Sequence, residues 1–257
     1  MNRKITIAMP TKIIFSKDQL IKEAYSGAIK EQKVLGYPQE KGPVRPYSSL
    51  FYWSHISSDY GCIIPEHSLL GFEILTYVLK GSYEIHHKEQ NRSVLLNEGD
   101  FELIKAGKGL RHSEKLYPHS EVLQIWFDPD FDHYRRRDAE VFSFKSNAFP
   151  SVQEEGKISK LLGGKDAPMQ LNSKDVTVQI DEFNAGFHVV HCPEDMVISG
   201  YVLDGFIEVG NAMLGKRDFF KIEGQEEVKL ASLVNSRLLL TFSPYKPEYQ
   251  TYAAMSM

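Results

Sequence analysis

From Leu50 onward the chain runs in short segments of about four to eight residues, rich in β-branched and aromatic types and punctuated by Gly, Asn, Asp and Pro. That pattern predicts strands. In the first half they fall at 49–55, 73–79, 82–87, 93–96, 100–104 and 122–127, with Lys80-Gly81, Asn97-Glu98-Gly99 and Ala106-Gly107-Lys108-Gly109 as turns. In the second half they fall at 176–183, 187–191, 197–203, 206–209, 218–222, 227–230 and 237–242. Two stretches read differently. Ser16-Lys17-Asp18-Gln19 has the form of a capping box, and Leu20, Ile21, Ala24 and Ala28 follow at helical spacing, which predicts a helix to about residue 30. The polar stretch 129–164 predicts a linker with one short helix over 152–162. With no strand–helix–strand alternation, the expected architecture is all-β: two jelly-roll β-sandwich barrels with a few short helices.

The two halves share a plan. Tyr77-Val78-Leu79-Lys80-Gly81-Ser82-Tyr83-Glu84 recurs as Tyr201-Val202-Leu203-Asp204-Gly205-Phe206-Ile207-Glu208. Downstream, Leu96-x-x-x-Asp100-Phe101 is echoed by Leu214-x-x-x-Asp218-Phe219, and Ser120-Glu121-Val122-Leu123 by Ser236-Arg237-Leu238-Leu239. Three matched blocks in one order imply a duplicated domain. The expected organisation is an N-terminal extension at 1–45, a first barrel at 46–134, the linker at 135–164 and a second barrel at 165–257.

Length and composition fit that organisation. A chain of 257 residues with 42% hydrophobic content can bury two cores of ordinary size. A formal charge of -4 offers no general attraction to phosphate backbones, so nucleic acid is not an expected partner. Arg135-Arg136-Arg137 lies among Asp130, Asp132, Asp138 and Glu140 and reads as a self-neutralised, solvated run. No apolar run approaches the ~18 residues of a membrane span, and the opening Met1-Asn2-Arg3-Lys4 leads into a segment broken by Pro10 and Lys12. A cytoplasmic protein without a membrane partner is expected. Cys62 and Cys192, one in each copy, are expected to be free thiols.

Candidate chemistry is confined to the first copy. Residues i and i+2 of a strand share a face, so His112 and Glu114 project side by side. A histidine from an earlier segment, His67, could complete a set of two imidazoles and one carboxylate, which suits non-haem iron and also serves manganese, nickel or zinc. Taken alone, H-x-E more often marks a hydrogen-bonded or surface pair after a turn. The second copy has Leu230 and Ser232 at the corresponding places.

Pro65-Glu66-His67-Ser68-Leu69-Leu70-Gly71-Phe72-Glu73-Ile74-Leu75-Thr76-Tyr77-Val78-Leu79-Lys80-Gly81, then Gly99-Asp100 and Ala106-Gly107-Lys108-Gly109-Leu110-Arg111-His112-Ser113-Glu114, resemble the signature of the pirin family and its bacterial quercetinase members. The likeness extends over about residues 46–244 and leaves the N-terminal extension outside. It implies a bicupin with one metal in the first barrel, held by an H-x-H and an H-x-E motif. His67 falls on the first histidine, and His112 and Glu114 on the last pair. Leu69 falls where the family has its fourth ligand. The resemblance implies a divalent metal, iron first, with manganese, nickel, zinc or copper as alternatives, and a dioxygenase opening flavonol-like or enolic small molecules. Glu114 would then serve as catalytic proton acceptor as well as ligand. The partners would be that substrate and dioxygen. The alternative is a metal-poor ligand sensor or protein-interaction bicupin with a protein partner, which Leu69 favours.

Other residues read as structural. Glu73 has the parity to face the metal and is expected to act as a hydrogen-bond acceptor. His191 reads as a relic of an ancestral ligand, and His86-His87 as an exposed hairpin pair of which at most one points inward. Trp53, Phe72, Tyr77 and Trp126 read as core aromatics.

Overall fold

The computed structural model describes residues 11–25 and 28–256. The opening residues, including Met1 to Pro10, lie outside the described residues. In chain order the strands are β1 (Thr11–Phe15), β2 (Ile21–Tyr25), β3 (Ile29–Leu35), β4 (Leu50–Ser58), β5 (Cys62–Leu69), β6 (Glu73–Lys80), β7 (Ser82–His87), β8 (Arg92–Asn97), β9 (Phe101–Lys105), β10 (Leu110–Leu116) and β11 (Ser120–Phe127). They continue as β12 (Glu140–Phe144), β13 (Ser151–Glu154), β14 (Lys157–Gly163), β15 (Thr177–Phe183), β16 (Gly186–His191), β17 (Met196–Asp204), β18 (Phe206–Val209), β19 (Ala212–Gly215), β20 (Phe219–Glu223), β21 (Glu227–Ser232) and β22 (Ser236–Pro244). Among the described residues two short α-helices, α1 (Phe131–Tyr134) and α2 (Tyr252–Ser256), and one 3-10 turn (Ser146–Ala148) interrupt the pattern. No helix among the described residues is long and apolar enough to cross a membrane.

Each barrel pairs a seven-stranded sheet with a four-stranded one. In the first barrel the orders are β12-β9-β6-β11-β4-β3-β2 and β5-β10-β7-β8; in the second they are β1-β20-β17-β22-β15-β14-β13 and β16-β21-β18-β19. The orders correspond strand for strand, so the repeat in the sequence is a repeat of topology. One edge position differs in source. The first barrel fills it with β12, which follows its other strands, and the second with β1, which precedes them. The described residues divide into two compact units accordingly, one built around residues 19–149 with 168–174 and 247–256, the other around 150–167 and 175–246 with 11–18.

The expected helix near residues 16–30 is replaced by strands. β2 and β3 form a hairpin, from Ile21 opposite Lys33 to Tyr25 opposite Ile29, and β3 pairs onward with β4. The Ser16 hydroxyl accepts from the Asp18 N–H at 3.3 Å, so the capping-box signal is used in a turn. Sheet hydrogen bonds and burial of Val34 and Leu35 outweigh the local helical spacing. The helix expected over 152–162 is likewise a hairpin, β13 and β14, turning at Gly156 with φ +72° and pairing onward with β15. Its neighbour β12 pairs with β9.

The repeated blocks carry repeated devices. Gly81 and Gly205 turn at φ +73° and +86°, where a side chain would be strained. Ser120 Oγ accepts from Ser82 N at 3.0 Å and donates to Ser82 O at 2.8 Å. Ser236 Oγ does the same with Phe206 N and O, at 3.1 and 3.2 Å. Asp100 accepts from Asn97 N at 3.0 Å, and Asp218 from Gly215 N at 2.8 Å. A Cβ on Gly205 would sit 2.7 Å from Asn235 O, which is backbone and cannot swing away. Gly205→Ala is therefore expected to lower unfolding stability by roughly 1–3 kcal/mol, read from the urea midpoint.

The two interiors differ in kind. In the second barrel Ile198, Val202, Ile207, Phe220, Leu230, Leu238 and Leu240 belong to one continuous apolar cluster. In the first barrel two apolar clusters lie on either side of a polar layer. Along β10 the inward residues run Leu110, His112, Glu114, Leu116; along β11, Val122, Gln124, Trp126; along β6, Ile74, Thr76, Val78. The cross-strand pair Thr76 and Glu102 of the first barrel becomes Gly200 and Phe220 in the second. Phe220 occupies the space that a side chain on Gly200 would need.

The C-terminal segment docks on the first barrel. Asp128 accepts from Ala253 N at 3.0 Å, Tyr249 Oη donates to Asp128 O at 2.8 Å, and Ala253 joins the apolar cluster of Leu69 and Phe72. Burial pushes the Asp128 carboxyl up to about 6, against the pull of the Ala253 and Tyr252 N–H groups. A folded-state value above the unfolded one means that this contribution to stability is present at low pH and lost as pH rises through about 6. Asp128→Asn is expected to raise stability above that pH by on the order of 2–3 kcal/mol and to flatten the decline between about pH 4 and 6, as read by thermal unfolding at several pH values.

Candidate metal centre

β5 and β10 are antiparallel neighbours that place His67 directly opposite His112. Alternation along β10 sends His112 and Glu114 inward, and a register shift between them carries Glu114 opposite Ile64. Three ligand atoms are thereby gathered. His112 Nε2 lies 2.9 Å from His67 Nε2 and 3.2 Å from Glu114 Oε1, and His67 Nε2 lies 4.0 Å from that same oxygen. Ligands bonded to one ion at ~2.0–2.2 Å stand ~3–4 Å apart, so the spacing fits a shared cation. Among the described residues no other group of three or more His, Cys, Asp or Glu is gathered in this way.

The donor chemistry fits as well. Pro65 O can only accept, so its 3.0 Å contact with His67 Nδ1 places the proton there and leaves Nε2 as a lone pair facing the cluster. Glu114 is buried and receives Gln124 Nε2 at 3.4 Å; Gln124 also donates to Tyr83 Oη at 3.1 Å, and that hydroxyl hydrogen-bonds Glu114. Burial alone would raise the Glu114 carboxyl, but the His112 hydrogen bond and charge, the Tyr83 hydroxyl and His67 outweigh it and hold it below its ordinary range. An ionised carboxylate beside two imidazoles is the donor set a divalent ion requires.

His67, half-buried, and Glu114 form part of the wall of a cavity of about 500 Å³. Tyr37, Tyr52 and Trp126 supply an aromatic side. Lys33, fully buried, lies 5.6 Å from the Tyr37 ring centroid and pairs with Glu40 at 2.6 Å. Lys33 and Glu31 reach the cavity from β3, which corrects the expectation that residues 1–45 form an extension outside the barrel. No motif marks them; only long-range strand pairing brings them in. Trp126 is partly exposed to this cavity, whereas Trp53, Phe72 and Tyr77 are buried.

Leu69 faces inward, as strand parity requires, and packs with Phe51, Tyr52, Phe72 and Leu110. Glu73 stands apart from the cluster. Its carboxylate accepts from Asn172 N, Ser173 N and Ser173 Oγ, each at 2.7 Å, and serves the fold. His191 is exposed, 3.9 Å from Glu227. His86 meets Ser93 Oγ at 3.1 Å on the outer face. His87 corrects the expectation of an exposed pair: it is 2% exposed, with Nε2 3.2 Å from Glu102 Oε1. The alternation Tyr83, Ile85, His87 was the available signal, since the first two are core residues. Cys62 and Cys192 are both free thiols.

The Pirin family model matches residues 33–127, from within β3 to the end of β11. A pirin-like protein of Caulobacter vibrioides is 29% identical over 187 residues, covering 68% of this chain and 75% of its own. A Pseudomonas aeruginosa protein with the provisional name quercetin 2,3-dioxygenase is 26% identical over 199 residues, 76% of this chain and 83% of its own. Among solved structures, the bacterial pirin of Escherichia coli in complex with nickel(II) is similar in fold, with a TM-score of 0.78 over 91% of this chain and 99% of its own at 18% identity.

Proposed function

The first barrel of this chain belongs to the pirin family, and from that premise we propose that it binds one divalent metal through His67, His112 and Glu114 and acts as a dioxygenase on flavonol-like or related enolic small molecules. The observation that carries this reading is the convergence of three ligand atoms within 4.8 Å of one another at the wall of a cavity lined by aromatic rings. When bound, the ion supplies Lewis-acid polarisation of an enolate oxygen and, if redox-active, a path for dioxygen chemistry. Iron is the expected occupant, and nickel is the ion named for the Escherichia coli relative.

The residues divide the remaining work. His67 and His112 hold the ion with neutral nitrogens. Glu114 completes the set and, because its carboxyl is held in the ionised form, accepts the substrate hydroxyl proton or keeps it in a hydrogen bond. Tyr37, Tyr52 and Trp126 provide flat apolar surface for a planar ring system and reduce water at the reacting centre. Purified protein is expected to consume dioxygen with quercetin in a metal-dependent way. An oxygen electrode showing no uptake with flavonols or simpler enols, in protein that has retained its metal, would end the dioxygenase reading.

A second reading, a metal-poor sensor or protein-binding bicupin, is favoured by Leu69 alone. That side chain is an apolar core member at the place where the family carries a ligand.

A further inference from the structure

Beside the triad, three buried side-chain atoms have no protein partner: His112 Nδ1, His87 Nδ1 and Glu102 Oε2. They are grouped by the topology. β7 and β10 are hydrogen-bonded neighbours, and their register sets His87 directly opposite His112, with ring centroids 6.2 Å apart and planes tilted by 51°. Glu102 reaches His87 from β9, in the other sheet. His87 is 2% exposed and Glu102 fully buried.

A buried polar atom without a partner costs about 1–3 kcal/mol. A barrel of this topology does not need Glu102, since the second barrel puts Phe220 at the matching position and closes its core with hydrocarbon. The polar pair therefore has a task beyond folding. Metal-bound imidazoles commonly donate their second N–H to an oxygen, which fixes both tautomer and ring orientation. His67 has such an acceptor in Pro65 O, whereas His112 Nδ1 has none within the protein.

We propose that His87 and Glu102 form a positioning pair for His112. The tautomers follow from the contacts. Glu102 Oε1 accepts from His87 Nε2–H, which leaves His87 Nδ1 as an acceptor. That acceptor takes the Nδ1–H of His112 through one bridging water, because rings at this separation are too far apart for a direct N–H···N bond. When a metal is bound, His112 Nε2 faces it and the ring is held in place from its Nδ1 side. The proposal rests on the metal-centre reading.

Two measurements on the full chain test it. In protein loaded with zinc and carrying 15N-labelled histidine, NMR is expected to find the His112 Nδ1–H as a slowly exchanging, hydrogen-bonded proton, and His87→Leu to leave it in fast exchange. In metal competition titrations, His87→Leu and Glu102→Leu are expected to weaken binding ~10–100-fold, Glu102→Gln, which keeps an acceptor, to restore most of it, and His86→Ala to match the wild type. Thermal stability of His87→Leu should fall, because Glu102 is left buried without a partner, whereas the double variant His87→Leu/Glu102→Leu should match or exceed the wild type. If His87→Leu does not fold, Glu102→Leu carries the same two readouts. A folded variant with unaltered exchange of the His112 Nδ1–H and unaltered metal affinity overturns the proposal. So does X-ray absorption showing one nitrogen fewer around the metal in His87→Leu, which would make His87 a ligand. Failure of the wild type to bind metal would overturn the metal-centre reading itself, whereas metal binding by the wild type with unaltered variants would overturn the pair alone.

Discussion

His112→Ala is expected to strip the protein of its metal. His112 Nε2 is the common neighbour of the other two ligand atoms, 2.9 Å from His67 Nε2 and 3.2 Å from Glu114 Oε1, whereas those two are 4.0 Å apart. Loss of an outer hydrogen-bond partner typically weakens metal binding ~10–100-fold. Loss of the central ligand from a set of three should exceed that. The metal-free variant should also be less stable, by up to roughly 3–5 kcal/mol, because the buried Glu114 carboxylate loses its closest hydrogen-bond donor. The pH behaviour distinguishes the two effects. In the wild type Glu114 is held below its ordinary range, so its contribution to stability is present at neutral pH and lost as pH falls through that depressed value. In His112→Ala burial dominates, the carboxyl rises, and the contribution is already absent at neutral pH. Metal content by elemental analysis and urea unfolding at pH 5 and 7 measure both. Retention of stoichiometric metal by the variant would remove His112 from the centre.

The second large effect is expected from Leu69→His. Leu69 is 4% exposed, on the same inward face as His67, and pairs across β10 with Leu110. An imidazole there gives up about 1.5–3 kcal/mol of apolar burial and meets Phe51 and Phe72 with no hydrogen-bond partner, so the metal-free variant should unfold more readily than the wild type. With metal present the order should reverse, because binding to the folded state alone adds RT ln(1 + [L]/Kd) to stability. An affinity gain of at least about 10-fold is expected from a fourth donor, by comparison with what weaker outer contacts contribute. Paired melting curves, with and without added metal, read this directly. A gain in metal accompanied by new activity would favour the reading in which the native chain is metal-poor. A loss of existing oxygen uptake would make Leu69 part of the substrate's wall.

The parts of this molecule that were legible in the sequence are those where a local geometry demands particular residues. Gly81 and Gly205 stand where φ is positive, Ser120 and Ser236 latch the following strand, and Asp100 and Asp218 close a tight turn, so the repeat survived as matched letters. His67, His112 and Glu114 were legible as candidates through motif spacing, and strand pairing brings them together. What escaped was decided by distant partners. The segment 16–30 carries a helical signal, yet β2 and β3 become strands because β4 offers an edge to pair with. The strand β5 is largely exposed along Cys62–Leu69 and shows no apolar alternation, so hydrophobic pattern alone did not mark it. Lys33, Glu31 and Glu102 have no motif. Their meaning comes only from what lies across the barrel.

The most direct measurement is a crystal structure of protein purified without added metal and without chelators, with anomalous diffraction recorded on both sides of the iron and nickel absorption edges. One anomalous peak within about 2.0–2.3 Å of His67 Nε2, His112 Nε2 and a Glu114 carboxylate oxygen is the expected result. Full-occupancy water at that point, with no anomalous signal and with the two imidazoles hydrogen-bonded to each other, would contradict the metal centre and everything proposed from it.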